Sequence, residues 1–415
     1  MNLLIPPSPG RCYAAEPVAR TLSASLITLK ALAGVAALAA LAATYAPGAA
    51  SAHGASRPRH AVSGPLGVLV ANVQAAGQYD VALVDGVGGV VAVTRAARRA
   101  DIEISGGQGG GALSMPLPPV SASRTRVYFL DGDRRVRSLA PNGTVTSVTT
   151  VPGSAHAHAT FAVSPDDRRI AVGVLTYSDA YTGANSTRVH IHNGATTTRI
   201  YVEDVVCGHP GAIVRGCHSV EIFRSASAYE WPVAWHNGAL VLAVAQLPGT
   251  QSGSPNPYFA YDGYHVVDAS SGRRLATMCA GQDNDQIFAY GPLVSAGTLC
   301  IRGANQTPYV DDWAGGRRRL PGAPTSYTAV LAPDGRRFAD VDSGGHIVIE
   351  AANGARTVTG LKASPLGWID PTHLIVDSGT NSGPNRVFNP RTGVVSTIDL
   401  RPPHPLFFGV LPAYQ

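Results

Sequence analysis

Residues 327–359 read YTAVLAPDGRRFADVDSGGHIVIEAANGARTVT, and their reading decides the fold. Four short runs rich in β-branched and aromatic residues alternate with three turn signals. The runs are 327–331, 337–341, 346–350 and 356–359. Between the first two stands Ala332-Pro333-Asp334-Gly335. Pro333 takes the second turn position, where its fixed φ suits a type I turn, and Gly335 takes the fourth. Ser343-Gly344-Gly345 and Asn353-Gly354 separate the remaining runs. Such pairs between β-branched runs mark hairpins. Four strands joined by tight turns make one small antiparallel sheet.

The same punctuation recurs along the chain. Turns fall at Asn142-Gly143, Asn193-Gly194, Ser270-Ser271-Gly272, Ala314-Gly315-Gly316 and Arg391-Thr392-Gly393, with a looser copy at Asp85-Gly86-Val87-Gly88-Gly89. The last glycine spacings are roughly 38 to 44 residues, the size of a four-stranded propeller blade. Counting hairpin glycines (Gly89, Gly143, Gly194, Gly272, Gly316, Gly354, Gly393) predicts seven blades, with six or eight as the alternatives. The doubled interval from Gly194 to Gly272 is read as an insertion between Glu203 and Glu230, which has no second set of turns. The fold class expected is therefore all-β, a β-propeller preceded by an N-terminal signal helix. Its ring is expected to close by pairing Gly67–Ala71 with the last blade near Val394–Leu400.

A second copy of the turn is Phe161-Ala-Val-Ser164-Pro165-Asp166-Asp167-Arg168-Arg169-Ile170, and weaker ones are Trp235-His236-Asn237-Gly238 and Trp368-Ile-Asp370-Pro371-Thr372. These stretches resemble the TolB/WD40-like propeller repeat with its S-P-D-G turn, over most of the chain after Gly67. The Gly-His and Trp-Asp signatures of WD40 repeats proper are absent. The resemblance implies that segments preceding each inner strand converge on one mouth of a central channel, with the second-to-third strand loops on the same face.

Composition narrows the class. The 415 residues are 45% hydrophobic and 14% charged, too apolar for a disordered chain. The net charge of +5 is carried almost wholly by arginine, with lysine only at Lys30 and Lys362. The densest cation cluster, Arg317-Arg318-Arg319, follows a hairpin turn and reads as an exposed strand edge, so nucleic acid is rejected as a partner.

The N-terminus carries an export signature. Ala31–Ala46 is an apolar Ala/Leu stretch behind Arg20 and Lys30, and it ends at Pro47-Gly48 and Ala50-Ser51-Ala52. It is short for a bilayer span, which takes about 20 residues. Cleavage is expected after Ala52. The organisation is then 1–52, signal peptide or, if uncleaved, a membrane anchor; 53–65, a leader; and 66–415, the propeller. The expected location is secreted, with attachment to the outer face of the cell membrane as the alternative.

Cysteine usage agrees with export. Of five cysteines, Cys12 leaves with the signal. Four remain, an even number that suits two disulfides, and proximity favours Cys207–Cys217 and Cys279–Cys300. A zinc set of Cys207, His209, Cys217 and His218 has suitable ligand types, but its members are too close together for the usual finger spacing. The Cys207–Cys217 segment is expected between blades three and four, either as a stiff cap on the mouth face or, equally, as a plain surface insertion with a staple.

The candidate binding residues are those the resemblance places at the mouth: His156, His158, Tyr229, Glu230, Trp231, Asp283, Asp285 and Tyr327. His156 and His158, two apart, face the same way in extended chain and can offer two imidazoles. His190 and His192 repeat that spacing but are read as a solvated third strand. Asp283-Asn284-Asp285 offers calcium-type oxygens without the glycine and glutamate of an EF-hand, and is read as a plain acidic loop. Glu230 beside Trp231 suggests a raised carboxylate suited to general acid work, although a plain rim residue is the reading preferred. The run Gly106–Gly111 reads as a linker, with no phosphate-loop lysine, and no Gly-x-Ser-x-Gly elbow exists. No catalytic residue, metal or cofactor is assigned. The rim stretches 177–186, 247–258, 304–308 and 379–385 are rich in Tyr, Asn, Ser, Gly and Gln, which suits polar recognition. The function expected is non-catalytic binding of a protein or glycan through the loop face. The alternative is a secreted lyase or hydrolase working at the channel mouth.

Overall fold

Strand after strand in this chain is apolar on both sides, and that property builds the architecture. In the computed structural model the described residues are 64–71, 77–105, 112–114, 120–182, 188–192, 196–207, 217–245, 262–279, 287–302, 307–322, 329–377, 384–400 and 405–412. They form seven four-stranded antiparallel sheets that follow one another along the sequence, plus one accessory sheet. The protein is a seven-bladed β-propeller.

Blade 1 is closed by both ends of the chain. Its inner strand is Leu406–Leu411, and its outer three are Leu66–Ala71, Gln78–Val84 and Val90–Ala97. Leu66 pairs with Leu411 and Val70 with Leu406, so the closing partner of the first strand lies at 406–411 rather than near Val394–Leu400. Val395–Thr397 is instead the outer strand of blade 7. Blades 2 to 7 begin with the inner strands Val120–Ala122, Ala157–Val163, Tyr229–His236, Ile287–Val294, Val330–Leu331 and Ser364–Asp370.

Each seam between neighbouring blades holds its own apolar cluster. Side chains alternate between the faces of a strand, so each strand of a blade supplies two seams. In blade 1, Val68 and Val70 pack toward Val127 and Phe129 of blade 2, while Leu69 and Ala71 pack toward Ile369 and Ile375 of blade 7. Such burial is worth about 25 cal/mol per Å² of apolar surface, and here it joins blade to blade.

Two seams carry the same polar staple. Trp235 Nε1 donates to the Ala162 carbonyl at 3.0 Å, and Arg169 lies 4.9 Å from the Trp235 ring centre. Trp368 Nε1 donates to the Val330 carbonyl at 3.2 Å, and Arg337 lies 5.5 Å from its ring. In each case the arginine opens the second strand of one blade, and the tryptophan sits on the inner strand of the next. The turns that carry these arginines are the two S-P-D-G-like copies. Gly335 has φ +66°, and Asp167 takes the same left-handed conformation at φ 63°. The cost of an aspartate there is offset by its carboxylate, which accepts from Tyr128 Oη at 2.8 Å and Thr125 Oγ1 at 2.7 Å on blade 2.

The hairpin glycines serve a second purpose. A Cβ on Gly272, whose φ is +70°, would collide with the Ile222 carbonyl on the outer strand of blade 3. The third-to-fourth hairpin of blade 4 thus leans on the preceding blade with backbone against backbone.

Blade 3 departs from the expected pattern. Its third strand, Thr196–Asp204, joins its fourth, Ser219–Ser225, through 205–218. That link takes the place of the glycine hairpin. Asn193-Gly194, counted above as that hairpin, lies outside the described residues, between Arg188–His192 and the third strand. The count of seven survives because the blade exists even though its marker was another connection. His190 and His192 sit on the accessory sheet, not on a blade strand.

The staple of blade 4 to blade 5 is covalent. Cys279, at the end of the outer strand Arg274–Met278, is bonded to Cys300 in Gly297–Arg302 of blade 5. Cys217 is also disulfide-bonded. The side chain of Cys207, its expected partner, lies outside the described residues.

Candidate functional site

Antiparallel alternation sorts the connections onto two faces. First-to-second and third-to-fourth hairpins share one face. Second-to-third loops and blade-to-blade crossings share the other, the mouth face. The 205–218 link joins a third to a fourth strand, so its described ends, 205–207 and 217–218, lie on the turn face. There Val205 N donates to the carbonyl of Arg168, beside the Ser164–Arg169 turn. This corrects the expectation of a cap over the mouth.

What covers part of the mouth face is the accessory sheet. It joins Asp101–Ser105 and Ala112–Ser114, from the crossing between blades 1 and 2, to Ala180–Thr182 and Arg188–His192, from the second-to-third loop of blade 3. Arg188–His192 runs parallel to Asp101–Ser105, with His190 opposite Glu103. His190 Nδ1 lies 3.3 Å from Glu103 Oε1. Two loops from separate parts of the chain thus meet in one sheet, which neither sequence stretch announces. Gly106–Gly111, read above as a linker, lies outside the described residues, between two of its strands in sequence. Ile102, Ile104 and Ile191 of this sheet join a buried cluster with Leu175, Tyr177, Tyr229 and Trp231.

That cluster decides the role of several candidates. Tyr229 and Trp231 are 1% and 0% exposed, so they are core residues, not rim residues. Tyr229 Oη pairs with Thr196 Oγ1 at 2.7 Å, tying blade 4 to blade 3. Glu230, between them in the strand, points to the opposite face by the period of two. It meets His265 instead of Trp231, with Oε1 3.1 Å from His265 Nδ1.

His156 is exposed and His158 buried, yet both rings flank Tyr177, with centroids 5.9 and 5.8 Å away. His158 Nε2 and Tyr177 Oη are 2.9 Å apart. Burial first, then the nearby Arg99 cation, lowers the His158 pKa to about 4. The same burial raises that of Tyr177. Arg99 is itself buried and donates to the Ala159 carbonyl, so a cation from the blade 1 crossing is locked against the inner strand of blade 3. His158 is therefore a neutral imidazole at ordinary pH, held by a tyrosine.

The structure thus separates Glu230 from the histidine pair: one meets His265, the other Tyr177. Asp283, Asp285 and Tyr327 lie outside the described residues, as do 247–258 and 304–306 of the rim. Among the described residues, one trio of potential ligands comes together, Cys279, Cys300 and Asp311. Its two sulfurs are spent in the disulfide, and Asp311 is occupied by Cys279 N at 2.7 Å and by Arg317 at 2.7 Å. The Arg317–Arg319 cluster is the exposed outer strand of blade 5. Arg317 is paired to Asp311, and Arg318 donates to the Gly335 carbonyl of blade 6.

Sequence reasoning missed His265 and Arg99. His265 sits in the strand Gly263–Val267, two strands away from Glu230, and only the register across Ala239–Ala245 brings them together. No local motif could have signalled that pair.

The fold defines the class of protein, a β-propeller, and comparison carries it no further. No protein-family model matches the chain, and no curated protein matches it. Solved structures do resemble it. It is similar to an oligogalacturonate lyase in complex with manganese, at 12% identity and a TM-score of 0.48, over 77% of this chain and 82% of that one. It is similar to a puromycin-hydrolyzing peptidase of Mycobacterium tuberculosis, at 14% identity and 0.46, over 80% of this chain and 53% of that one. It is similar to BamB from Moraxella catarrhalis, at 12% identity and 0.37, over 80% and 81%. These likenesses concern the fold alone.

Proposed function

We propose that this chain is an exported propeller of the TolB/WD40-like S-P-D-G type that binds a protein or glycan partner through its mouth face, without catalysing a reaction. The observation that carries the reading is the accessory sheet. Two connections of the mouth face, one carrying Asp101–Ser105 and the other Arg188–His192, pair with each other there. An extended, hydrogen-bonded platform of this kind is a rigid base for recognition, and binding residues concentrate on loops set on a rigid scaffold. The polar composition of the rim stretches supports the same reading. Several candidates that a reaction might have used are engaged in holding the fold: Tyr229 ties blade 4 to blade 3 through Thr196, and His158 pairs with Tyr177 within blade 3. The apolar stretch Ala31–Ala46 and the site after Ala52 support export, with a tether as the other outcome.

The test is site-specific photo-crosslinking in the producing cells. A photoreactive residue at Ser178, exposed where the second-to-third loop of blade 3 begins on the mouth face, should capture a protein or glycan that one at Asn142, on the turn face, does not. Equal capture from both positions, or capture from Asn142 alone, sinks the reading. N-terminal sequencing of the product should begin at His53.

A further inference from the structure

A cavity of about 260 Å³ opens in the seam between blades 3 and 4. Ile222 and Phe223 line it from the outer strand of blade 3, and Glu230, Leu242, His265 and Val267 line it from blade 4. Strand register gathers the blade 4 members at one place. Pro232, two residues along from Glu230 and so on the same face, pairs with Leu242, and Leu242 pairs with His265. His265 Nδ1 lies 3.1 Å from Glu230 Oε1. Val267 follows His265 by two residues and shares its face. An apolar surface therefore starts beside the carboxylate and runs away from it. Ile222 and Phe223 pack against the same apolar cluster from the other blade.

The carboxylate is the anomaly in that wall. The Glu230 side chain is 8% exposed. A carboxylate presents about four acceptor positions, and it is stable away from water only when donors fill them. Among the described residues the Glu230 carboxylate accepts no hydrogen bond. His265 stands at ion-pair distance, yet its buried Nδ1 makes no hydrogen bond either. A seam under pressure only to pack would be better served by apolar residues that fill the space. An ammonium group brings what is missing, a positive charge and three N–H donors. A bare cation would answer the carboxylate and leave the apolar surface uncovered.

We infer that this seam cavity binds a hydrophobic primary amine. Its ammonium group sits on Glu230, and its alkyl or aryl substituent lies along Leu242, Val267, Ile222 and Phe223. The size agrees. A cavity of ~150 Å³ takes up benzene, so the volume here holds a ring and the short arm that carries the ammonium. Such a ligand has one charged end and needs one charged anchor. Arg274, opposite Val267 on the outer strand, is exposed at the solvent edge of the cavity and takes no part. The inference does not rest on partner binding through the mouth-face loops, so the two stand or fall separately.

Titration calorimetry and thermal unfolding of the full chain at neutral pH test the inference, with phenethylamine and isoamylamine as probes. The controls are 2-phenylethanol and isoamyl alcohol, which keep the shape and lose the charge, and methylamine, which keeps the charge and loses the apolar substituent. A probe amine should bind and raise the melting temperature, and each control should bind at least about tenfold more weakly. Glu230→Gln keeps the shape of the side chain and should weaken amine binding about tenfold or more. Ile222→Phe, at a half-buried position, narrows the cavity and should weaken binding as much while Glu230 stays in place. Melting curves without ligand show that each variant is folded, and the comparison of amine with alcohol on the unaltered chain needs no variant at all. Failure of both amines to bind at about 10 mM overturns the inference. So does equal binding by any control, or affinity unchanged in folded Glu230→Gln.

Discussion

Replacing the bond between Cys279 and Cys300 measures how strongly one propeller seam is held. The two cysteines are 21 residues apart in sequence, and both side chains are fully buried. In the chain-entropy account, closing a loop of that length lowers the entropy of the unfolded chain enough to stabilise the fold by about 3 kcal/mol. A Cys→Ala pair also deletes two packed sulfurs, adding about 1–2 kcal/mol of lost packing. The unfolding entropy is about 2.1 cal/mol/K per residue, so over roughly 350 residues a loss of 3 kcal/mol corresponds to about 4 °C in Tm. The comparison is best made with Cys207 and Cys217 already replaced by alanine, since Cys217 is itself bonded. Protein refolded under reductant keeps its sulfur atoms and loses only the cross-link, so it should melt about 4 °C lower than the oxidised form. Cys279→Ala/Cys300→Ala should melt lower still. Scanning calorimetry with and without reductant during refolding reads both steps. If oxidised and reduced forms melt together, the seam owes nothing to the bond and the reasoning fails.

Trp368→Phe removes the indole N–H from the Val330 carbonyl and the ring face from Arg337, so a loss of about 2–3 kcal/mol is expected by urea unfolding. A double-mutant cycle with Arg337→Ala should return a coupling of about 0.5–1 kcal/mol, and a coupling of zero would dismiss the staple. Glu203 supplies a pH signature. Burial raises its pKa from 4.5 to about 7. A raised carboxyl stabilises the fold below pH 4.5, and that stabilisation is lost as the pH climbs through 7. Stability from this group should therefore fall over that window, with a slope of at most about 1.4 kcal/mol per pH unit and less where solvent screens the carboxylate. Glu203→Gln should flatten that part of the stability curve, and an unchanged curve would show that the carboxyl ionises freely.

The residues that revealed the blades are those whose structural demand is local. A glycine after an Asn or Asp, or a proline before an Asp-Gly, constrains a few dihedral angles of its own turn, so Gly335 and Gly354 could be read directly. Alternation of side chains was equally legible, and seams apolar on both sides follow from it. The proximity of Cys279 to Cys300 was enough to pair them, although nothing in the sequence said the bond would join two blades. Blade 3 was legible only in part, because the longer stretch 205–218 stands where its marker hairpin was expected.

By itself, then, the sequence determined the repeating strand-and-turn unit and the apolar faces, which depend on neighbours in the chain, and it favoured seven repeats over six or eight. Tertiary structure alone decided which connections lie on each face and where the ring closes. It also decided that 101–105 and 188–192 would become parallel partners. It turned Tyr229 and Trp231 inward while setting Glu230 against His265 on the other face. Those outcomes depend on register between strands far apart in sequence, and a shift of one residue in any of them would have reversed which side chain met the seam.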